Sequence, residues 1–162
     1  MSAPLFLYGT LRHPALLETV LGRPAGEAGA GPAMLPGHAV RWAEGEPFPL
    51  LLEEAGENAE GLLLTRLSAE DRARLDFYEG GFDFDRREVT VETGQGPRAA
   101  EVYACAPGRW AAGPPFDLAE WVARWGRLSV AAAEEVMAHR GARDAAAVAA
   151  MFPMIRDRKS VV

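Results

Sequence analysis

Strand-like segments fill the first two thirds of this 162-residue chain, and helix-like segments gather in the last third. A strand buried on both faces appears as a short apolar run, whereas a half-buried strand alternates polar and apolar residues. The first pattern occurs at Pro4–Tyr8 and the second at Arg87–Glu92. Further strand-like runs lie at 38–42, 47–53, 59–65 and 100–106. This order predicts an α+β domain whose sheet is either mixed or curled into a barrel.

The segments that separate these strands are predicted to be irregular. Gly, Ala and Pro are enriched in Arg23–Pro36, which indicates a loop leading into the strand at 38–42. Polar residues from Glu54 to Asn58 separate the next two runs, which are therefore expected to be antiparallel neighbours.

Two helices are predicted within the strand-rich part. Pro14 can occupy the first turn of a helix that continues through Ala15–Leu21 and closes at Gly22. Its apolar side chains share one face of the helix; they are Leu16, Leu17, Val20 and Leu21. The second helix starts from the N-cap Ser68 and is ended by Gly80 and Gly81.

After Pro114 the pattern changes to helices. Asp117 and Glu120 form a capping box, and an apolar stripe follows on one face; it consists of Trp121, Val122, Trp125 and Leu128. The tryptophans are interpreted as core anchors. A second helix is predicted over Ser129–Arg140 and an alanine-rich third over Asp144–Met151.

We therefore expect one domain over residues 1–162, with a core at 4–113 and a helical cap at 114–155. The alanine-rich helices would either cover a homodimer face or complete the core.

Composition limits the class of partner. The net charge of −6 argues against a nucleic-acid or anionic-membrane surface, because both partners attract clustered positive charge. The chain lacks an apolar run of the roughly 18 residues that a transmembrane helix requires, and it lacks the pattern of a signal peptide. A cytoplasmic protein with a small-molecule or protein partner is expected. The single Cys105 excludes an internal disulfide and is interpreted as a structural thiol.

Glu79 is the first candidate for chemistry, because its carboxylate lies where a helix is ended by glycine. A fixed backbone at that point can aim a carboxylate into a cleft. From this stretch alone, however, an exposed acid at a helix end is the favoured interpretation.

Tyr8-Gly9-Thr10-Leu11 is the second candidate. A strand that enters a helix through a glycine turn presents several backbone N–H groups together, and these can hold a carboxylate or an oxyanion. A glycine after an apolar strand more often marks only a turn.

Other polar groups carry weaker signals. The three histidines, His13, His38 and His139, lack the paired spacing of a zinc site. Asp83, Asp85 and Glu88 could ligate a hard cation, although a solvated acidic turn is more common. Arg12 and Arg86 would either steer an acidic substrate or balance neighbouring acids, and the second role is favoured for Arg12.

Together, the two candidate motifs resemble the γ-glutamylcyclotransferase-like, or AIG2-like, family. The resemblance spans residues 4–106 and continues through Arg86-x-x-Val89-x-Val91 and Val102-Tyr103. It implies a small mixed β-barrel with flanking helices, extended here by the C-terminal helices. It further implies that Tyr8, Gly9, Thr10 and Leu11 cradle the substrate, with Tyr103 as a looser match, and that Glu79 is the general acid and base.

The implied activity is a γ-glutamyl cyclotransferase, of transferase or lyase type. It would convert a small γ-glutamyl amine, amino acid or peptide into 5-oxoproline and a free amine, without a metal or cofactor. The sequence departs from the family at Phe84, where a tyrosine is common, and the link after Glu79 is one residue longer. These departures motivate an alternative, a non-catalytic ligand-binding or regulatory module that could assist a nucleotide hydrolase.

Overall fold

The computed structural model of the protein describes residues 3–80, 85–105 and 108–140. The strands in these ranges are β1 Leu5–Leu7, β2 Ala30–Ala43, β3 Pro49–Leu64, β4 Asp85–Thr93, β5 Gly96–Ala104 and β6 Ala112–Pro115. The helices are α1 Pro14–Leu21, α2 Ala69–Gly80, α3 Leu118–Trp121 and α4 Arg127–Ala138, with a π-helical turn at Val122–Gly126 between the last two. In the described part of the chain, every helix is too short or too polar to cross a membrane.

The sheet closes into a barrel. Its strands follow the order β3-β1-β5-β4-β2, and β2 then pairs back onto β3, while β6 is added beside β2. The pairing of β1 with β5 is parallel, and the other pairings are antiparallel. The fold is therefore α+β, a small mixed β-barrel with flanking helices and a C-terminal helical extension, as the resemblance implied.

Strand β1 is apolar at every position because both of its faces are buried. Phe6 and Tyr8 point into the barrel, whereas Leu5 and Leu7 face the helices, and all four are less than 8% exposed. A strand covered on both faces cannot alternate with polar residues. The barrel interior is completed by side chains from the other barrel strands, namely Ala33, Leu35, Leu51, Ala59, Leu63, Val91, Ala100 and Val102.

The helices cover one outer face of the barrel. The apolar face predicted for α1 is buried, with each of its four side chains at most 3% exposed. Trp121 is 2% exposed and its indole Nε1–H donates to the Pro47 carbonyl at 2.8 Å, so its interpretation as a core anchor is confirmed. The N-cap bond of the predicted capping box is also present, because the Asp117 side chain accepts from the Glu120 N–H at 3.2 Å.

Helix α2 is held at its start by Asp71. Its carboxylate accepts from the Ser68 N–H at 2.8 Å, while the Ser68 hydroxyl accepts from the Asp71 N–H at 3.0 Å. The Arg23 Nε–H also donates to this carboxylate at 2.9 Å, and Arg23 Nη2 forms a second bond to it. Burial opposes ionisation of Asp71, but the bonds from Arg23 and Ser68 outweigh it and lower its pKa.

Asp71→Ala is expected to lower the free energy of unfolding by about 2–3 kcal/mol, because it removes a helix cap and leaves Arg23 without its carboxylate. Since the folded-state pKa of Asp71 is lowered, its contribution is present above the ordinary carboxyl pKa and is lost as the pH falls through the folded-state value. Urea denaturation at pH 7 checks the first point. The control is Glu70→Ala, whose exposed ion pair with Arg140 should contribute less than about 1 kcal/mol; equal losses for both variants would contradict the prediction.

The predicted loop over Arg23–Pro36 is wrong in its second half. Strand β2 begins at Ala30 and pairs with β3 from Ala30↔Leu64 onward. Composition alone favoured a loop because this stretch is rich in Gly and Pro. Pairing along its length stabilises the strand despite that composition, since strand formation depends more on neighbours than on intrinsic preference.

The two strands predicted on either side of Glu54–Asn58 form one strand, β3. The polar segment nevertheless interrupts its pairing with β2, because the register passes from Pro36↔Asn58 to His38↔Glu53. Gly37, with φ +73°, lies opposite this excess of residues. The polar run therefore marks a bulge within a hairpin and not a separation between strands.

The helices after Pro114 also differ from the prediction. Helix α3, the π-helical turn and α4 follow one another directly, so no break occurs at Ser129. Pro114 and Pro115 belong to the edge strand β6, where proline is tolerated because no N–H is needed on the outer side. The helix predicted at 144–151 lies outside the described residues.

Candidate active site

One end of the barrel gathers the residues that the sequence singled out. Strands β1 and β5 are parallel and finish at this end, and the antiparallel β4 begins there, with Asp85 opposite Ala104. Helix α2 brings Glu79 to the same end in its last turn. Residues separated by more than ninety positions in the chain, such as Tyr8 and Tyr103, therefore become neighbours.

The Tyr8–Leu11 turn is fixed by burial and hydrogen bonds. The Tyr8 hydroxyl donates to the Tyr103 carbonyl at 2.6 Å, and Leu11 is 4% exposed in the core beneath the helices. Thr10–Arg12 forms a 3-10 turn in which the Arg12 N–H donates to the Gly9 carbonyl at 3.1 Å. The first N–H groups of such a turn have no carbonyl within the turn and point away from it. The turn can therefore offer backbone donors to an anion.

Gly9 lies close to the start of β3. A Cβ at this position would lie 3.0 Å from Cγ of Pro49, which begins β3, so any larger residue requires a small shift of one of the two segments. The glycine therefore permits a close approach between the turn and the barrel.

Glu79 is half-buried, although the sequence stretch alone favoured an exposed acid. It lies within the last turn of α2 and not beyond it; the buried Tyr78 directly precedes it, and the buried Leu75 lies one turn before it. Burial raises the pKa of Glu79 to about 8. A carboxyl with this pKa exchanges its proton near neutral pH, as an acid/base catalyst must.

Three tyrosines lie within electrostatic range of the Glu79 carboxylate. Burial raises the pKa of Tyr8, Tyr78 and Tyr103, and the negative charge of Glu79 raises each of them further. Two of these tyrosines, Tyr8 and Tyr103, were expected to contact a substrate. Tyr78 was not predicted to be a site residue, and its place next to Glu79 in the chain was the available signal.

Tyr103 is held by an ionic cluster on the outer side of β5. Its hydroxyl donates to Oδ1 of Asp76, one turn of α2 before Glu79. Arg72 lies 5.8 Å above the Tyr103 ring and donates to Oε1 of Glu101 at 2.5 Å. Arg86 completes the cluster, with Nη1 3.6 Å from Oδ2 of Asp76. These contacts pack α2 against the barrel and so fix the position of Glu79 relative to β4 and β5.

The two arginines that carried weaker signals, Arg86 and Arg12, have different environments. Arg86 balances Asp76 and Glu101, which supports a charge-balancing role for that residue. Arg12 is half-buried and forms no ion pair with a described residue, so it does not balance an acid directly. Burial lowers its pKa, and the nearby Glu60 acts in the opposite direction.

Metal ligation finds no support within residues 3–80, 85–105 and 108–140, where no three His, Cys, Asp or Glu side chains are placed to share an ion. The histidines lie on separate elements: His13 packs edge-on against Trp121, and the His38 ring is bonded to the Pro36 carbonyl. Phe84 and Asp83, together with the lengthened link after Glu79, lie outside the described residues.

Comparison with known proteins agrees with this architecture. The family model described as gamma-glutamyl cyclotransferase, AIG2-like, matches residues 5–123, which include both candidate motifs. The chain belongs to this family. The match extends beyond Tyr103 through strand β6 and helix α3, so the start of the helical extension is part of the family domain.

Several solved structures have a fold similar to that of this chain, whereas a search of curated proteins gives no match. A solution structure from Arabidopsis thaliana has a TM-score of 0.57 at 23% identity and covers 78% of this chain and 79% of that one. A gamma-glutamyl cyclotransferase has a TM-score of 0.56 at 14% identity, covering 95% and 99%. A human protein has a TM-score of 0.56 at 14% identity, covering 82% and 78%. At these identities the likenesses establish the gamma-glutamyl cyclotransferase fold and not a substrate.

Proposed function

We propose that the protein is a γ-glutamyl cyclotransferase in which Glu79 is the general acid and base. The observation that supports the proposal is a half-buried carboxyl with a pKa of about 8, whose charge acts on Tyr8 of the Tyr8–Leu11 turn, in a chain of this family. An exposed structural carboxylate would keep its ordinary pKa near 4.5.

The reaction moves two protons from the attacking nitrogen to the leaving nitrogen. The α-ammonium of the substrate gives the first proton to the Glu79 carboxylate, and the free amine attacks the γ-carbonyl carbon. The bond from that carbon to the leaving nitrogen then breaks as the Glu79 carboxyl gives its proton to that nitrogen. The ring nitrogen releases its second proton, which Glu79 passes in the same way to the departing amine, so that Glu79 ends as a carboxylate. The products are 5-oxoproline and the protonated amine, and no water is consumed.

The raised pKa of Glu79 favours these steps. The α-amine of a γ-glutamyl compound shares its carbon with a free carboxylate, so its pKa lies above the value of about 7.7–8.0 for a chain N-terminus. A base with a pKa of about 8 is closer to that value than an ordinary carboxylate, so the proton transfer costs less free energy. The negative oxygen of the tetrahedral intermediate would be stabilised by the backbone N–H groups of the Gly9–Leu11 turn. Tyr8 and Tyr103, whose phenols stay protonated, would shape the pocket around the glutamyl group.

A panel of γ-glutamyl amines, amino acids and peptides tests the proposal. The protein is incubated with each compound, and 5-oxoproline is followed by mass spectrometry. Formation from at least one compound, in proportion to enzyme, is expected. Saturable binding without product would instead favour a non-catalytic ligand-binding or regulatory module.

The rate should depend on pH in a way that reports the burial of Glu79. The productive complex contains one proton shared between Glu79 and the amine, so kcat/KM should peak near pH 8 and fall about tenfold per unit at lower pH. A pH profile between 5 and 10 on the best substrate checks this. A profile that is flat down to pH 5 would show that a carboxyl with an ordinary pKa, or none, controls the reaction.

A further inference from the structure

Tyr103 is bonded to both halves of the candidate site. Its backbone carbonyl accepts the hydrogen bond from the Tyr8 hydroxyl at 2.6 Å, and Tyr8 opens the glycine turn after β1. Its own hydroxyl donates to Oδ1 of Asp76 on α2, three residues before Glu79. Residues three apart lie on the same side of a helix, so this bond is made on the side of α2 that carries Glu79. Tyr103 therefore connects the turn with the helix.

The Tyr103 side chain lies between the barrel and α2. It is 8% exposed and packs in the apolar cluster that the barrel shares with the helices, which includes Leu75 and Tyr78 of α2. Val102, the residue before it, packs in the barrel interior instead. Adjacent residues of a strand point to opposite faces of the sheet. The Tyr103 phenol is therefore directed at the helix and not at the barrel interior.

The single hydrogen of the Tyr103 hydroxyl is given to Asp76. Two guanidinium groups flank this carboxylate, with Nε of Arg72 3.6 Å from Oδ1 and Nη1 of Arg86 3.6 Å from Oδ2. A hydrogen bond to a charged acceptor is stronger than one between neutral groups. The phenol therefore cannot donate to a ligand without giving up a strong bond to α2.

Different groups hold the two ends of α2. Bonds between Asp71 and Ser68 hold its start. Tyr103 reaches the helix at Asp76, one turn before the helix ends, so its bond acts on the turn that carries Glu79. A displacement of about 1 Å in a reacting group can lower a rate by about a hundredfold, so such a bond affects the chemistry as well as the packing.

We infer that Tyr103 is a positioning residue, whose hydroxyl holds the last turn of α2 through Asp76 and so keeps the Glu79 carboxyl at the end of the barrel where Tyr8 lies. The inference rests on the proposed function for the reaction that this position serves. The family resemblance implied contact with the substrate for Tyr103, whereas the geometry assigns its hydroxyl to the helix.

Tyr103→Phe tests the inference, because it keeps the ring and removes only the bond to Asp76. The Glu79 carboxyl carbon is titrated by ¹³C NMR in ligand-free, glutamate-labelled protein, and Glu79→Gln identifies its signal. A loosened turn admits water to Glu79, so its midpoint should fall by about one pH unit, a tenfold weaker affinity for the proton. In an Asp76→Ala background the same substitution should cause no further fall, because the partner is already absent.

Asp71→Ala is the matched control, because it releases the other end of the same helix. It should lower the free energy of unfolding and leave the Glu79 midpoint unchanged. An equal fall in Asp71→Ala would overturn the inference, because any weakening of α2 would then have the same effect. An unchanged midpoint in Tyr103→Phe, or a further fall when that substitution is added to Asp76→Ala, would overturn it as well.

Kinetics separate positioning from contact with the substrate. On a γ-glutamyl compound that the wild type converts, Tyr103→Phe should lower kcat about tenfold and change KM by less than about twofold. A raised KM at unchanged kcat would overturn the inference, since it would place the hydroxyl on the substrate. If the wild type formed no 5-oxoproline, the proposed reaction would be refuted, and the titration of Glu79 would still decide whether Tyr103 holds it in position.

Discussion

Replacing Glu79 with glutamine is expected to remove nearly all turnover and, in the same variant, to stabilise the fold at alkaline pH. Glutamine keeps the shape of the side chain but cannot exchange a proton. Loss of a general acid/base typically lowers kcat by 10² to 10⁴-fold, and both proton transfers of the proposed reaction use this one carboxyl. We therefore expect at least about a thousandfold loss.

The stability effect follows from the same burial. The pKa of Glu79 rises from 4.5 to about 8 on folding, so between these values the folded state holds a proton that the unfolded state has released. Folding stability therefore falls as the pH rises from about 4.5 to about 8, and the full cost of the buried charge is present above pH 8. Glutamine carries no charge and avoids this cost. Because the side chain is half-buried and partly screened, we expect Glu79→Gln to gain about 2–4 kcal/mol at pH 9.

Urea denaturation at pH 5 and pH 9, together with the 5-oxoproline assay, measures both effects. The wild type should lose stability between the two pH values more than Glu79→Gln does. Glu88→Gln is the control, because Glu88 is an exposed acid on β4, and it should change neither the pH dependence of stability nor the rate. A variant that is inactive but gains no stability at pH 9 would show that Glu79 is not held in a desolvated site.

Gly61→Ala is expected to destabilise the barrel by about 3 kcal/mol or more. A Cβ on Gly61 would lie 2.2 Å from the Leu7 carbonyl oxygen and 2.7 Å from Cζ of Phe6. The oxygen belongs to the backbone of β1, which pairs with β3 at Leu7↔Leu62, so it cannot rotate away. The pairing of β1 with β3 must therefore open, and the Phe6 ring must move as well.

Gly31→Ala is the matched control, because Gly31 also lies in a barrel strand and a Cβ there would meet nothing within 4 Å. Its free energy of unfolding should change by less than about 1 kcal/mol, since alanine loses less backbone entropy than glycine on folding. Thermal or urea denaturation of the two variants compares them directly. If Gly61→Ala were as stable as Gly31→Ala, β1 would not pack against β3 as closely as described.

The site was partly predictable because its two motifs have local signatures. An apolar run that stops at Gly9 and a helix that stops at Gly80 are both visible in the sequence, and each sets a local backbone. Their proximity was not visible in either motif. It entered through the resemblance to the family, whose match over residues 5–123 establishes membership.

Arg86 and Arg87 illustrate what a strand pattern can and cannot determine. Alternation along β4 already places the two arginines on opposite faces. It does not say which face is the barrel interior, because that depends on the pairing with β5 and on the position of α2. Arg86 matched the family pattern but is held in an ion cluster, whereas Arg87 lies opposite Val102 on the inner face of the barrel.

The sequence by itself determined the type of most elements, the buried face of α1, the capping residues and the two glycine turns. These features depend on side chains within one or two turns of each other, or on a repeat of 2 or 3.6 residues. Periodicity left the closure of the barrel open, and only the family resemblance implied it. Tertiary structure alone decided the early start of β2, the continuity of the last helices and the burial of Glu79. Each of these depends on contacts between residues far apart in the chain, and periodicity specifies which face of an element is buried without specifying its partner.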